Sequence, residues 1–395
     1  MPPPVAHGGD AEEHEDDEEE ELDDLGSLPS TSSSLMRPRH AGQGRSKNED
    51  YSPLSGQDYF AQAMAVKVEE AGQNGGPSTF RVYYTPPSKG KASAATSNGT
   101  LDDAGEDDDE ESPVVYVCHH GAGYSAMSFA LLSKELVEIS EGKAGVLALD
   151  CRGHGKSVCK DENDLSIDTL ATDLVSVLAE VFPDKRSTPD LILVGHSMGG
   201  SVVVKACSRI QERVGNVVGV CNLDVVEGTA MDALGGMMDI VSARPKGFAS
   251  IEDAIAWHVR SRTIGSLQSA RVSVPPLFIK EERAANPQHK YKWRTNLIAS
   301  QPYWEGWFKN LSSSFLAQRT AKLLVLAGAE SLDKDLMIGQ MQGKYQLAVF
   351  QDVGHCLQEE APRRLAVLLM EFWKRNLGAR DQAKILKNVR KVGAS

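Results

Sequence analysis

One hexapeptide constrains this 395-residue chain more than any other segment: Gly195-His196-Ser197-Met198-Gly199-Gly200. It follows the apolar run D-L-I-L-V and precedes S-V-V-V-K-A-C-S-R-I, which reads as a helix. A strand that turns at once into a helix leaves no room for side chains inside the turn. Glycine is therefore required at 195 and 199, and the residue between them is thrust outward. Taken alone, G-x-S-x-G is a glycine-rich turn with a surface serine; between a strand and a helix it is a nucleophile elbow. The Ser197 hydroxyl then stands over a helix N-terminus, whose free N–H groups favour developing negative charge.

The rest of the chain supplies the frame such an elbow needs. Met64–Val68 and Thr79–Tyr84 cluster β-formers around the turn-like G-Q-N-G-G-P and read as a hairpin. Val114–Cys118, Val146–Asp150, Leu191–Val194, Val217–Leu223, Leu323–Ala327 and Leu347–Phe350 are short apolar runs of the kind that buried parallel strands show. Helical stretches at about 127–139, 166–182 and 198–213 separate the first four. The alternation predicts an α/β chain, a doubly wound and mostly parallel sheet with two antiparallel strands leading in: the α/β-hydrolase fold. Residues 225–320 interrupt it with a helix-rich stretch whose exposed-prone aromatics cluster at Trp293, Tyr303, Trp304, Trp307 and Phe308. An insertion there predicts a lid over the strands' carboxyl ends.

Composition sets the limits of that domain. The formal charge is −13, but residues 10–24 hold 12 acids and 102–111 hold 8, with no Lys or Arg in either run. Once these runs and the mildly basic segments 25–50, 86–100 and 380–395 are set aside, the body is nearly neutral, a poor match for a nucleic-acid-binding domain. Residues 1–50 and 86–112 are too polar to offset the entropy of ordering, which predicts a disordered tail and a disordered insertion. The hydrolase domain is expected over 51–378, with a basic C-terminal tail over 379–395. No apolar run approaches the roughly 18 residues that span a bilayer, so no membrane partner is expected. M-P-P-P-V-A-H-G-G-D lacks a basic start and an apolar core, so the chain does not read as secreted. Six scattered cysteines without C-x-x-C spacing read as buried thiols of a cytoplasmic or nuclear protein.

A serine nucleophile needs a base and an acid, and in this fold the chain order is nucleophile, acid, histidine. Of ten histidines, His355 alone stands just past the last predicted strand, in V-F-Q-D-V-G-H-C. Two acids between Ser197 and His355 end a strand: Asp224 in V-C-N-L-D and Asp333 in A-E-S-L-D-K-D. Order and spacing do not choose between them. The oxyanion hole is expected from the backbone N–H of Met198 and of Ala122, the latter in the His120-Gly121-Ala122-Gly123 loop after Val114–Cys118. Asp150-Cys151-Arg152-Gly153-His154-Gly155-Lys156-Ser157 matches the D-x-R-G-H-G-x-S turn of many α/β-hydrolases and reads as structural. No Walker A loop, H-E-x-x-H or EF-hand pattern occurs, so neither metal nor cofactor is expected.

Other segments resemble the protein phosphatase methylesterase 1 family across most of residues 51–375. The similarity runs through Y-S-P at 51, the elbow, N-L-D-V-V-E-G-T-A-M-D-A-L at 222–234 and R-P-K-G-F-A-S-I-E-D-A-I-A-W at 244–257. It continues through S-A-R-V-S-V at 269–274, Y-K-W-R at 291–294, Y-W-E-G-W-F at 303–308 and L-D-K-D-L-M-I-G-Q-M-Q-G-K at 332–344. The loop H-G-A-G departs from the family's H-G-G-G, but Ala122 keeps its N–H. The resemblance implies a carboxylic ester hydrolase that demethylates the C-terminal leucine of the protein phosphatase 2A catalytic subunit and releases methanol. It also implies Asp224 as the triad acid. Trp293, Trp304 and Trp307 are the candidates for contact with that partner, lid core being the competing reading. Two rival functions stand beside it: a general small-molecule carboxylesterase, and a phosphatase-binding or inhibitory protein that acts without catalysis.

Overall fold

Short β-branched and leucine-rich runs with no polar face have to be covered on both sides, and the strands of this chain are placed accordingly. The computed structural model describes residues 49–69, 76–88, 113–328 and 332–376. The expectations for the tail 1–50, apart from its last residues, for nearly all of the insertion 86–112 and for the tail 379–395 fall outside them.

The hairpin β1 (Gln62–Val68) and β2 (Ser78–Thr85) is antiparallel, and β2 runs antiparallel to β4 (Ala144–Leu149). From there the sheet is parallel, through β3 (Val114–His119), β6 (Asp190–His196), β7 (Val217–Leu223), β10 (Ala321–Ala327) and β11 (Gln346–Phe350). The order is β1-β2-β4-β3-β6-β7-β10-β11, and a two-residue strand β5 (Val158–Cys159) pairs with the edge of β2. Every residue of β3, β4 and β7 is buried, as their unbroken apolar character requires.

Helices α2 (Ile167–Val181) and α3 (Met198–Arg213) cover one face; α1 (Ala130–Ile139) and a closing helix over 362–376 cover the other. Ser166 caps α2 by accepting the Thr169 N–H. Between β7 and β10 lie α4 (Glu227–Ser242), α5 (Ile251–Arg260), α6 (Leu267–Ser273), α7 (Trp304–Phe308) and α8 (Leu311–Ala317). The same stretch holds a small hairpin of β8 (Phe278–Lys280) and β9 (Tyr291–Trp293). Helix α9 (Lys334–Met341) joins β10 to β11, and the short α10 (Leu357–Glu360) follows His355.

The lid is fastened to the sheet domain by polar contacts. Arg294 pairs with both carboxylate oxygens of Glu162 at 2.8 Å, and Trp307 Nε1 donates to the Leu165 carbonyl at 2.7 Å. The lid aromatics, expected to be exposure-prone, are largely core. Trp304, Trp307 and Phe308 are buried beside the α3–α4 face, and Trp293 packs with Phe248, Trp257 and Phe278. All six cysteines are buried and unpaired. Among the described residues no helix is long and apolar enough to cross a membrane.

Candidate active site

Strand β6 ends at His196 and β7 at Leu223, and these two residues are register partners. The chain therefore leaves both strands at one level, and Ser197 and Asp224 emerge as neighbours on the carboxyl edge. Both take φ of 52°, a left-handed conformation that costs a non-glycine residue about 1–3 kcal/mol. Backbone bonds hold them there: Ser197 N–H to the Leu223 carbonyl at 3.0 Å, Gly200 N–H to the Ser197 carbonyl at 2.8 Å, and Asp224 N–H to the Val325 carbonyl at 2.7 Å. The elbow's glycines are steric necessities. A Cβ on Gly195 would stand 2.3 Å from the Gly199 carbonyl oxygen, and one on Gly199 would stand 2.2 Å from that of His119.

His355 follows β11, and its Nδ1 lies 2.7 Å from Asp224 Oδ2, both side chains being buried. The other carboxylate oxygen, Oδ1, accepts the Ala327 N–H at 2.6 Å. An ionised carboxylate only accepts, so the proton belongs on Nδ1 and Nε2 is left bare. That Nε2 is buried and makes no hydrogen bond to the protein. Two further residues fix the loop: His196 Nε2–H donates to the His355 carbonyl at 2.9 Å, and Glu360 Oε2 accepts the Gly354 N–H at 2.8 Å. Asp333 is elsewhere. It caps α9, accepting the Leu336 N–H at 3.0 Å and the Ser312 hydroxyl at 2.5 Å. Of the two acids that chain order leaves open, Asp224 is the one bonded to His355.

The loop after β3 lies directly against the elbow, since a Cβ on Gly121 would stand 3.1 Å from Ser197 Cβ. Ala122, Met198 and Ser197 line one narrow apolar cavity with Ala230, Met237, Trp307 and Phe308. Trp307, a candidate for partner contact from the sequence, is a buried wall of this cavity. Trp304 faces a second groove, with Leu234, Met238 and Pro302. Trp293 lines neither: its Nε1 donates to the Pro245 carbonyl at 2.7 Å and Arg244 lies over its ring.

Four buried histidines surround the elbow. Burial pushes His119 and His154 down to about 4 and holds His120 and His196 well below the usual imidazole range, so all four stay neutral. The donor atoms of His120, Cys151 and His154 lie within 4.8 Å of one another. These atoms are already engaged: the Cys151 N–H bonds His120 Nε2 at 3.0 Å and the Gly123 N–H bonds His154 Nε2 at 2.9 Å. Burial also raises the Cys151 thiol well above its usual range, away from the thiolate a metal would take. The trio is built as a hydrogen-bond cluster, not as a ligand set.

Sequence reasoning missed His196 and Glu360, which hold the His355 loop, and Met237, which lines the cavity beside Phe308 of the lid's aromatic cluster. The first could have been suspected from its place inside the elbow; a link from Glu360 to Gly354 has no signature in the chain.

The α/β hydrolase family model matches residues 116–368. Protein phosphatase methylesterase 1 of Cryptococcus neoformans is 44% identical over 390 residues, covering 95% of this chain and 89% of that protein. The protein of the same name from Yarrowia lipolytica is 42% identical over 352 residues, covering 85% and 75%. Among solved structures, E-2-(acetamidomethylene)succinate hydrolase superposes with a TM-score of 0.57 at 16% identity, over 79% of this chain and 100% of that one. The thioesterase domain from the curacin biosynthetic pathway gives 0.52 at 18%, over 78% and 99%. At these identities the structures speak for the fold alone. The similarity to the sequence relatives extends through lid and sheet alike, and the chain belongs to the protein phosphatase methylesterase 1 family of α/β-hydrolases.

Proposed function

We propose that this chain hydrolyses the methyl ester on the C-terminal leucine of a protein phosphatase 2A catalytic subunit, with Ser197, His355 and Asp224 as its triad. The observation that carries the reading is the buried 2.7 Å bond from His355 Nδ1 to Asp224, one strand-end away from Ser197 in the elbow. His355 Nε2 takes the Ser197 proton as the hydroxyl attacks the ester carbonyl, and Asp224 holds the tautomer and steadies the imidazolium. The N–H groups of Ala122 and Met198 hold the oxyanion. Methoxide is a poor leaving group, so His355 returns its proton before methanol departs. Water, deprotonated by the same nitrogen, then releases the carboxylate.

The apolar cavity of Ala122, Met198, Met237, Trp307 and Phe308 supports a leucine side chain beside the scissile carbonyl. Burying a leucine contributes about 1.5–3 kcal/mol, which favours this ester over one without an apolar side chain. The test is methanol release from methylated phosphatase, comparing parent with Ser197→Ala. The expected loss is about 10⁴-fold or more. An undiminished rate would remove Ser197 from the chemistry. Equal turnover of short esters with no preference for the phosphatase would point instead to a general carboxylesterase.

A further inference from the structure

We infer that His154, in the D-x-R-G-H-G-x-S turn, is a positioning residue that aims the Ala122 N–H at the oxyanion. The inference rests on the active-site reading above and concerns how its oxyanion hole is held.

The loop His120–Gly123 and the turn Cys151–Gly155 clasp each other through two histidines. His120, on the loop, accepts the Cys151 N–H of the turn at 3.0 Å. His154, on the turn, accepts the Gly123 N–H of the loop at 2.9 Å. A backbone N–H can only donate, so both Nε2 atoms are bare and both protons lie on Nδ1. The proton on His120 Nδ1 goes to the Gly121 carbonyl at 2.8 Å; that on His154 Nδ1 goes to the Arg152 carbonyl at 2.7 Å. Each ring is thereby locked in one tautomer and one orientation.

Ala122 sits between the two clasped peptides. The Gly121 carbonyl and the Ala122 N–H belong to one planar trans unit, so holding the carbonyl toward His120 points the N–H to the opposite side. The next peptide, from Ala122 to Gly123, is held by His154. Without that second bond the loop could rotate at Ala122 and at Gly123, which already sits at a φ of 78°. The turn that carries His154 is itself immobilised. Arg152 forms a buried two-bond pair with Asp173 at 2.8 Å, and the Thr295 hydroxyl of the lid donates to the Gly153 carbonyl at 2.9 Å. His154 is fully buried and neutral, so its Nε2 is a constant acceptor. It touches no reacting atom; it acts through Gly123.

Two substitutions separate the acceptor from the rest of the ring. His154→Gln keeps an acceptor at the reach of Nε2 and gives up the donor to Arg152. His154→Asn keeps a donor near Nδ1 and gives up the acceptor. Full-length proteins are assayed on methylated phosphatase and on p-nitrophenyl acetate, with Ser197→Ala alongside. The Asn protein is expected to lose about 10²-fold in kcat with KM within about threefold of the parent, as for an oxyanion donor moved out of line. The Gln protein is expected within about threefold of parental kcat on the same grounds. Parental kcat in the Asn protein, or equal losses in both folded variants, overturns the assignment. If His154→Asn does not fold, His154→Gln decides: folded and below a tenth of parental kcat, it overturns it; at parental kcat, it supports it. A fully active Ser197→Ala protein would instead bring down the active-site reading itself.

Discussion

Asp224 and Asp333 are two aspartates that follow parallel strands, yet they are put to different uses. Asp224 comes directly off β7 at positive φ, buried, with one oxygen on His355 and the other on the Ala327 N–H. Asp333 lies several residues beyond β10, in extended backbone, and spends its carboxylate on the Leu336 N–H and the Ser312 hydroxyl. A carboxylate that must orient a histidine has to stand at a fixed distance from the nucleophile, and register supplies that at the end of β7. After β10 the chain has already left the sheet, so its acid serves the next helix as a cap.

The largest effect that could break this contrast is on turnover. Asp224→Asn is expected to lower methanol release about 10⁴-fold, while Asp333→Asn stays within about threefold of the parent. The reverse ranking would assign the triad acid to the wrong strand. Asp333→Ala should show its cost in stability instead, about 0.5–2 kcal/mol from the lost cap, read as a shift in urea midpoint with unchanged slope.

A third acid sharpens the comparison, because it is buried without a cationic partner. Glu359 takes the Ser269 and Ser273 hydroxyls on one oxygen, and burial pushes it up to about 8. Its folded value lies above that of the unfolded chain, so the native state holds the extra proton. The stabilisation is complete below about pH 4.5 and is lost as pH rises through about 8. Glu359→Gln should therefore gain stability relative to the parent across that window, by on the order of a few kcal/mol at its upper end. A flat difference between pH 5 and 8 in thermal or urea unfolding would contradict it. The smallest effect expected is from deleting residues 89–112, since the strands on either side pair with β4 and β6 rather than through that stretch. Activity and unfolding midpoint should stay near parental values, and a large loss in either would give the acidic run a structural role.

Much of this molecule is legible in the chain because its signals are local. A short apolar run must be covered on both faces, and β3, β4, β6, β7, β10 and β11 all fall on such runs, four to seven residues long. The short pieces β5, β8 and β9 have no counterpart in the sequence reading, because two or three residues carry no period. The closing helix over 362–376 does carry one, in Leu365, Ala366, Leu369, Met370, Phe372 and Trp373, and is an omission of that reading. The lid tryptophans mislead for a related reason. Nothing in Y-W-E-G-W-F states what will pack on it, and Trp304 and Trp307 are buried by α3 and α4.

The chain by itself determined the elbow: a strand, two obligatory glycines and a helix around Ser197 admit only one turn, and every part of that turn is contiguous. It also placed His355, through order alone. Only the tertiary structure brought Asp224 to His355 and gave Asp333 to a helix. It alone closed the clasp of His120 and His154 around Ala122, because those bonds join residues 31 positions apart for the clasp and 131 apart for the acid–histidine pair. Spacing along a chain records which residues can turn together; which distant residues meet depends on strand order and register, and those are fixed only when the whole sheet has been buried.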